Sequence, residues 1–212
     1  TRLEFRSLLR NLPSGMRSDA VVTSDQPEFQ EIKPANEAKW SEAESVKLTM
    51  AEQVVIHLMG DELVVSHDPS RYSRVTVSDI ADTIGKLSVV THDGDALCRF
   101  LLSSHSHLPY AIYDTKHAAF LLDPLRKSRE LGDLTGTDTA DTGQAIAAIW
   151  ALHAEQTTQL AKLPMLERVA RDIDFPLIPL LARMEHRGII LDTTMLGDMQ
   201  KELSGQIDTI QQ

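Results

Sequence analysis

Gln53-Val-Val-Ile-His-Leu-Met-Gly-Asp-Glu-Leu-Val-Val-Ser66 decides the fold. Two β-branched runs, 53–58 and 62–66, flank Met59-Gly60-Asp61, which predicts a β-hairpin. A third strand is expected at 74–77, after which Ser78 is placed to cap a helix running to Lys86. Residues 87–91 form a short apolar run, the pattern of a buried strand, and Asp93 is placed to cap a helix over 95–103. A last short strand at 111–113 leads into a helix that Asp123-Pro124 halts after Leu122. Antiparallel strands followed by strand–helix alternation indicate a mixed α/β sandwich.

Beyond that core, residues 126–139 are polar, contain Gly132 and Gly136, and read as a loop. Asp141-Thr-Gly-Gln144 has the form of a capping box with Asp as N-cap. It opens a long helix carrying Ile146, Ile149, Trp150 and Leu152, which Pro164 breaks before another helix over 165–173. At the other end, residues 2–11 read as a short helix that Pro13-Ser-Gly15 terminates, and a Pro-, Ser-, Asp- and Gln-rich linker continues to about Ala35. Residues 194–212 are helical in character and run to the last residue without a stop, so the chain reads as a piece of a longer polypeptide.

The bulk numbers exclude several classes. The longest uninterrupted apolar run, 145–152, is too short to span a bilayer, so no membrane partner is expected. A single cysteine, Cys98, excludes an internal disulfide and fits a reducing cytoplasm; its apolar neighbours Ala96, Leu97 and Phe100 mark a buried thiol. Net charge is −10, and between Ala35 and Leu163 there are 18 acidic and 11 basic residues, a balance of −7. Such a surface repels phosphates, because nucleic-acid affinity comes largely from Lys and Arg neutralising them. The N-terminal stretch is the exception, with Arg2, Arg6, Arg10 and Arg17 against Glu4 alone.

One further segment, Asp174-Phe-Pro-Leu-Ile-Pro-Leu-Leu-Ala-Arg-Met-Glu-His-Arg-Gly-Ile-Ile-Leu-Asp192, is expected to be a helix with Pro176 and Pro179 in its first turn. Leu177, Leu180, Leu181 and Met184 would form its apolar face, and Gly188 a left-handed C-cap. This string resembles the entry to the polymerase domain of the family A DNA polymerases, the bacterial DNA polymerase I type. Leu3-Glu-Phe-Arg-Ser-Leu-Leu9 is similar to the helix after that family's 5′ nuclease module, and Tyr113-Asp-Thr-Lys-His-Ala-Ala-Phe-Leu-Leu-Asp-Pro124 to the middle of its 3′–5′ exonuclease-type domain. The three stand in the family's order. The resemblance implies a ribonuclease-H-like mixed sheet flanked by helices and followed by C-terminal helices. It implies three regions: 1–36 helix and linker, 37–163 exonuclease-like domain, and 164–212 the start of the polymerase domain. The resemblance further implies that the intact protein extends a primed DNA strand with magnesium, in replication and repair, and that DNA is met through that whole polypeptide.

In active members the exonuclease-type domain holds two divalent metals with acids from three places. Hydrolysis by two metals needs hard oxygen ligands converging on ions ~4 Å apart. Where the family has Asp-x-Glu, this chain reads Val54-Val-Ile-His-Leu-Met59; the family's second acid falls near Leu97, and its Tyr-x-x-x-Asp falls near Asp141 and Ala145. Asp61-Glu62 cannot substitute, since adjacent strand residues point to opposite faces. Asp93 and Asp95 sit at a helix start, where carboxylates satisfy free amides. No catalytic residue, metal ligand or cofactor is therefore expected in this chain, whose role would be to brace the polymerase; the alternative is an active metal-dependent 3′–5′ proofreading exonuclease whose ligands stand at other positions. Of the remaining motifs, His105-Ser-His107 reads as a polar turn before Pro109, Asp114 with His117 as a helix start, and Trp40 and Trp150 as core or interface residues. Arg126, Lys127 and Arg129 are the candidates for touching a phosphate.

Overall fold

Six runs of extended chain make one sheet: β1 (Asn36–Glu37), β2 (Val54–Met59), β3 (Glu62–Asp68), β4 (Arg71–Val75), β5 (Ser88–Thr91) and β6 (Ala111–Asp114). This computed structural model describes Phe29 and residues 31–211. The expected helix at 2–11, the four N-terminal arginines and most of the expected linker lie outside the described residues. In space the strands are ordered β1-β4-β3-β2-β5-β6. The hairpin forms as read, with Met59 opposite Glu62 and Gly60 at φ 61°, a conformation glycine adopts without strain. β3 and β4 continue the antiparallel meander, while β5 and β6 add in parallel beside β2.

β2 is apolar at every position but His57, because period-two alternation sends successive residues to two faces that are both covered. Val54, Ile56, Leu63, Val65 and Val89 enter the main core. Val55, Val64 and Val90 are equally buried, and by alternation face the other side. Helices cover both faces. They are α1 (Glu42–Met50), α2 (Val77–Ile80), α3 (Gly94–Ser103), α4 (Thr115–Leu122), α5 (Leu131–Thr135), α6 (Thr142–Ala161), α7 (Pro164–Val169), α8 (Phe175–Arg187) and α9 (Thr193–Gln211). α6 packs against β2, β4 and β5 and against α4 and α5, whereas α3 packs against β2, β6 and α8. The result is the ribonuclease-H-like mixed sheet flanked by helices.

Several expectations move. The third strand covers Arg71–Val75 rather than 74–77, with Arg71 paired to Asp68 beyond a register shift in the β3–β4 ladder. The helix expected from Ser78 is instead α2, opened at Thr76, whose amide and hydroxyl both donate to Asp79 Oδ2 at 2.7 Å, and followed by a 3₁₀ turn over Ile84–Lys86. The stretch 126–139 is not all loop: Leu131 and Leu134 bury themselves and wind α5, which ends at Gly136 with φ 69°. The helix expected over 165–173 is α7 followed by a π-helical turn, Ala170–Asp174. β1 and α1 had no counterpart in the sequence reading.

The largest correction concerns α8. Leu177, Leu180, Leu181 and Met184 are not its buried face; Met184 is 60% exposed, whereas Ile178 is 8%. Phe175, Ile178 and Ala182 face the core instead, one turn apart on the side that meets α3 and β6. Pro176 lies in the first turn as expected, but Pro179 is inside the helix. The side chains from Thr193 to Ile210 in α9 are not buried.

Candidate functional site at the carboxyl ends of the central strands

β2, β5 and β6 run parallel, so their carboxyl ends lie along one edge of the sheet, the edge where open α/β sheets place their sites. The loop after β5 supplies His92 and Asp93, β6 ends on Asp114, and His57 lies toward the end of β2. Helix starts then organise this edge. Asp93 Oδ1 caps α3 by accepting from the Ala96 amide at 3.0 Å. Asp114 does more: it accepts from the amides of Lys116 at 2.8 Å, His117 at 3.2 Å and Gly94 at 2.9 Å. One buried carboxylate thereby ties the starts of α3 and α4 together. Gly94 permits this approach, because a Cβ there would meet Ile178 Cγ2 at 3.1 Å, Asp114 Oδ2 at 3.2 Å and Ile112 Cγ2 at 3.3 Å.

His92 is buried, and its Nδ1 lies 2.9 Å from Thr115 Oγ1, which donates onward to the Thr91 carbonyl at 3.2 Å. The Thr115 carbonyl in turn accepts from Gln156 Nε2 of α6 at 2.8 Å. Burial pushes the His57 imidazole down to about 4, with Asp93 acting the other way. Burial also pushes His92 down to about 4, helped by His57 and Lys116 and opposed by Asp93 and the Arg129 backbone. Both rings are neutral at physiological pH. Burial works against the charge on Asp93, yet the Ala96 amide and the Lys116 ammonium, 2.9 Å away, hold the carboxyl below its usual range. Asp114 is shifted up by burial, against the pull of its three amides.

These groups do not fit paired metal ions. His92 Nε2 is buried without a hydrogen-bond partner and is chemically able to ligate. Yet among the described residues no group of three or more His, Cys, Asp or Glu converges to hold a metal. Leu97 and Ala145, at positions where the family resemblance places acids, are fully buried apolar residues. Asp141 caps α6 through the Gln144 amide at 2.8 Å, and Asp95 pairs with Arg99 at 2.9 Å.

Several of the other candidates have local partners, while Lys127 is exposed. His105 occupies a turn at φ 57°. His117 Nε2 lies 3.6 Å from Asp174. Arg126 donates to the Ser128 and Asp133 carbonyls, and Arg129 to the Pro124 carbonyl while stacking over Phe120. Trp150 donates from Nε1 to Ser66 Oγ at 2.9 Å, and Trp40 packs partly buried against the core. Cys98 is buried and its thiol pushed up to about 12. The sequence reading missed His57, His92 and Lys116. Their juxtaposition arises from three strand ends, and no local spacing announces it.

No family model matches the chain. It is 31% identical over 112 residues to DNA polymerase I of Pseudomonas aeruginosa, a stretch amounting to 53% of this chain and 11% of that protein. Among solved structures, the POL domain of Pol1 from M. smegmatis, in complex with DNA primer-template and dNTP, superposes with a TM-score of 0.71 at 20% identity, over 82% of this chain and 36% of that one. Brucella melitensis NrnC with bound Mg2+ gives 0.54 at 12% identity, over 72% of this chain and 92% of its own. Escherichia coli RNase D, an exoribonuclease involved in structured RNA processing, gives 0.52 at 10% identity, over 72% of this chain and 51% of its own. The resemblance to family A DNA polymerases with an exonuclease-like domain is thus supported by a sequence relative and by shared fold. No helix among the described residues is long and apolar enough to cross a membrane.

Proposed function

We propose that this chain is the exonuclease-like segment of a DNA polymerase I, without nuclease activity of its own, and that it braces the polymerase of the same polypeptide. The observation that carries this is the composition of the strand-end edge. Where two metals would need converging carboxylates, the edge offers two neutral imidazoles, Asp93 paired with Lys116, and Asp114 engaged by three amides, while Leu97 and Ala145 are apolar. With both carboxylates already engaged and no third acid converging among the described residues, the edge lacks the set of free hard oxygen ligands that paired ions and a metal-bound nucleophile need.

The brace role is supported by α8, which is built into the core of the sheet domain through Phe175, Ile178 and Ala182. Whatever follows α8 is therefore joined to a rigid body. In the intact protein this reading places the chain in a bacterial cytoplasmic polymerase of replication and repair, using magnesium at acids elsewhere in the polypeptide. Contact with DNA belongs to that whole protein. Arg126, Lys127 and Arg129 are the residues of this chain proposed to face it, although Arg126 and Arg129 already serve backbone carbonyls of their own loop. The test is incubation with 5′-labelled single-stranded DNA in manganese. The oligonucleotide is expected to stay full length; stepwise shortening that EDTA abolishes overturns the proposal.

A further inference from the structure

Lys116 breaks a rule of helix electrostatics. It is the second residue of α4, where the helix dipole presents its positive end and a cation is disfavoured. Capping does not explain it, since its backbone amide is already satisfied by Asp114 Oδ1 at 2.8 Å. Its side chain instead crosses from the β6–α4 junction to the β5–α3 junction. There the ammonium donates to Asp93 Oδ2 at 2.9 Å, with Glu130 Oε1 at 3.9 Å. Asp93 is oriented for this partner, because its other oxygen is engaged by the Ala96 amide at 3.0 Å. Buried Asp114 stands two residues before Lys116, and the imidazoles at 57 and 92 bring no positive charge to the patch. Lys116 is the only cation that reaches Asp93 among the described ion pairs.

We infer that Lys116 is a built-in counter-cation: its ammonium neutralises the carboxylates gathered at this edge of the sheet, supplying from the chain itself the positive charge that holds the starts of α3 and α4 together. The inference deepens the brace reading and rests on it. A local conflict with helix electrostatics persists where a longer-range interaction compensates it, and the Asp93 contact is that compensation. Lys116 is in these terms a positioning residue.

The test is a double-mutant cycle on the whole chain, followed by thermal unfolding in EDTA. Asp93→Asn removes the charge yet keeps a good N-cap, and Lys116→Met keeps the stem but loses the ammonium. Each single change is expected to lower the midpoint by a few degrees. The double variant is expected to lose less than the two singles together, and Lys116→Arg to retain most of the wild-type midpoint. Strict additivity of the two losses, or a Lys116→Arg midpoint no better than that of Lys116→Met, overturns the inference. DNA shortening by the wild type would sink the brace reading without altering this cycle, and additivity here would leave the DNA assay untouched.

Discussion

Asp114 is the residue on which the candidate site turns. Three amides from two helices converge on its buried carboxylate, so truncating it strands donors that water reaches poorly. Asp114→Ala is expected to cost about 3 kcal/mol in urea unfolding, while Asp114→Asn, which keeps one acceptor, should cost less. Gly94→Ala would press a methyl to within 3.1–3.3 Å of Ile178, Asp114 and Ile112 and is expected to cost about 1–3 kcal/mol. The histidines give a pH signature. Both fold with pKa about 4 against 6.5 for the free side chain. The unfolded chain therefore binds more protons below pH 6.5, and stability falls as pH drops from there toward 4. Each ring contributes up to about 3 kcal/mol of that loss. Unfolding midpoints of His57→Gln and His92→Asn variants between pH 7 and 4.5 measure it; the variants should show a flatter profile than wild type.

At the scale of elements, α8 shows both what a sequence carries and what it withholds. Its two apolar stripes have the same helical spacing, 177–180–181–184 and 175–178–182, and periodicity alone does not say which one meets the sheet. The structure selects the second through Gly94 and Ala182, small residues that let α3 and α8 approach closely. Ile178→Ala is expected to cost about 2–4 kcal/mol, whereas Leu181→Ala, half exposed in this chain, should stay within about 0.5 kcal/mol. A reversal of that order in chemical unfolding would contradict the assignment. β2, β3, α3 and the Asp141 cap of α6 were legible because hairpin chemistry and N-capping are local. β1 was not, since its two polar residues join the sheet through partners distant in sequence: the Asn36 amide donates to the Ser70 carbonyl, and Glu37 meets Tyr72 and Arg74. α1 buries only Glu44 and Leu48 and so lacks an apolar stripe. Gly143 belongs here as well: a Cβ would stand 2.2 Å from the Ala35 carbonyl. Gly143→Ala is expected to detach the segment leading into β1, seen as faster amide exchange at Ala35 and Asn36 with α6 unaffected.

For the whole molecule, the two-sided burial of the sheet makes a rigid body, and its carboxyl edge is where chemistry would occur in a protein of this shape. Leu97 and Ala145 are the positions at which the family resemblance led the sequence to suggest absent acids, and both are buried apolar residues. What stands at the edge was not legible, because His57, Asp93 and Lys116 meet only after three strands align. The central claim is that this edge holds no converging ligand set. Its most direct test is a crystal soaked with manganese and a nucleoside monophosphate, measured for anomalous scattering. The account predicts no ordered manganese near His57, His92 and Asp93. A pair of manganese peaks there, bridged by the nucleotide phosphate, would contradict it.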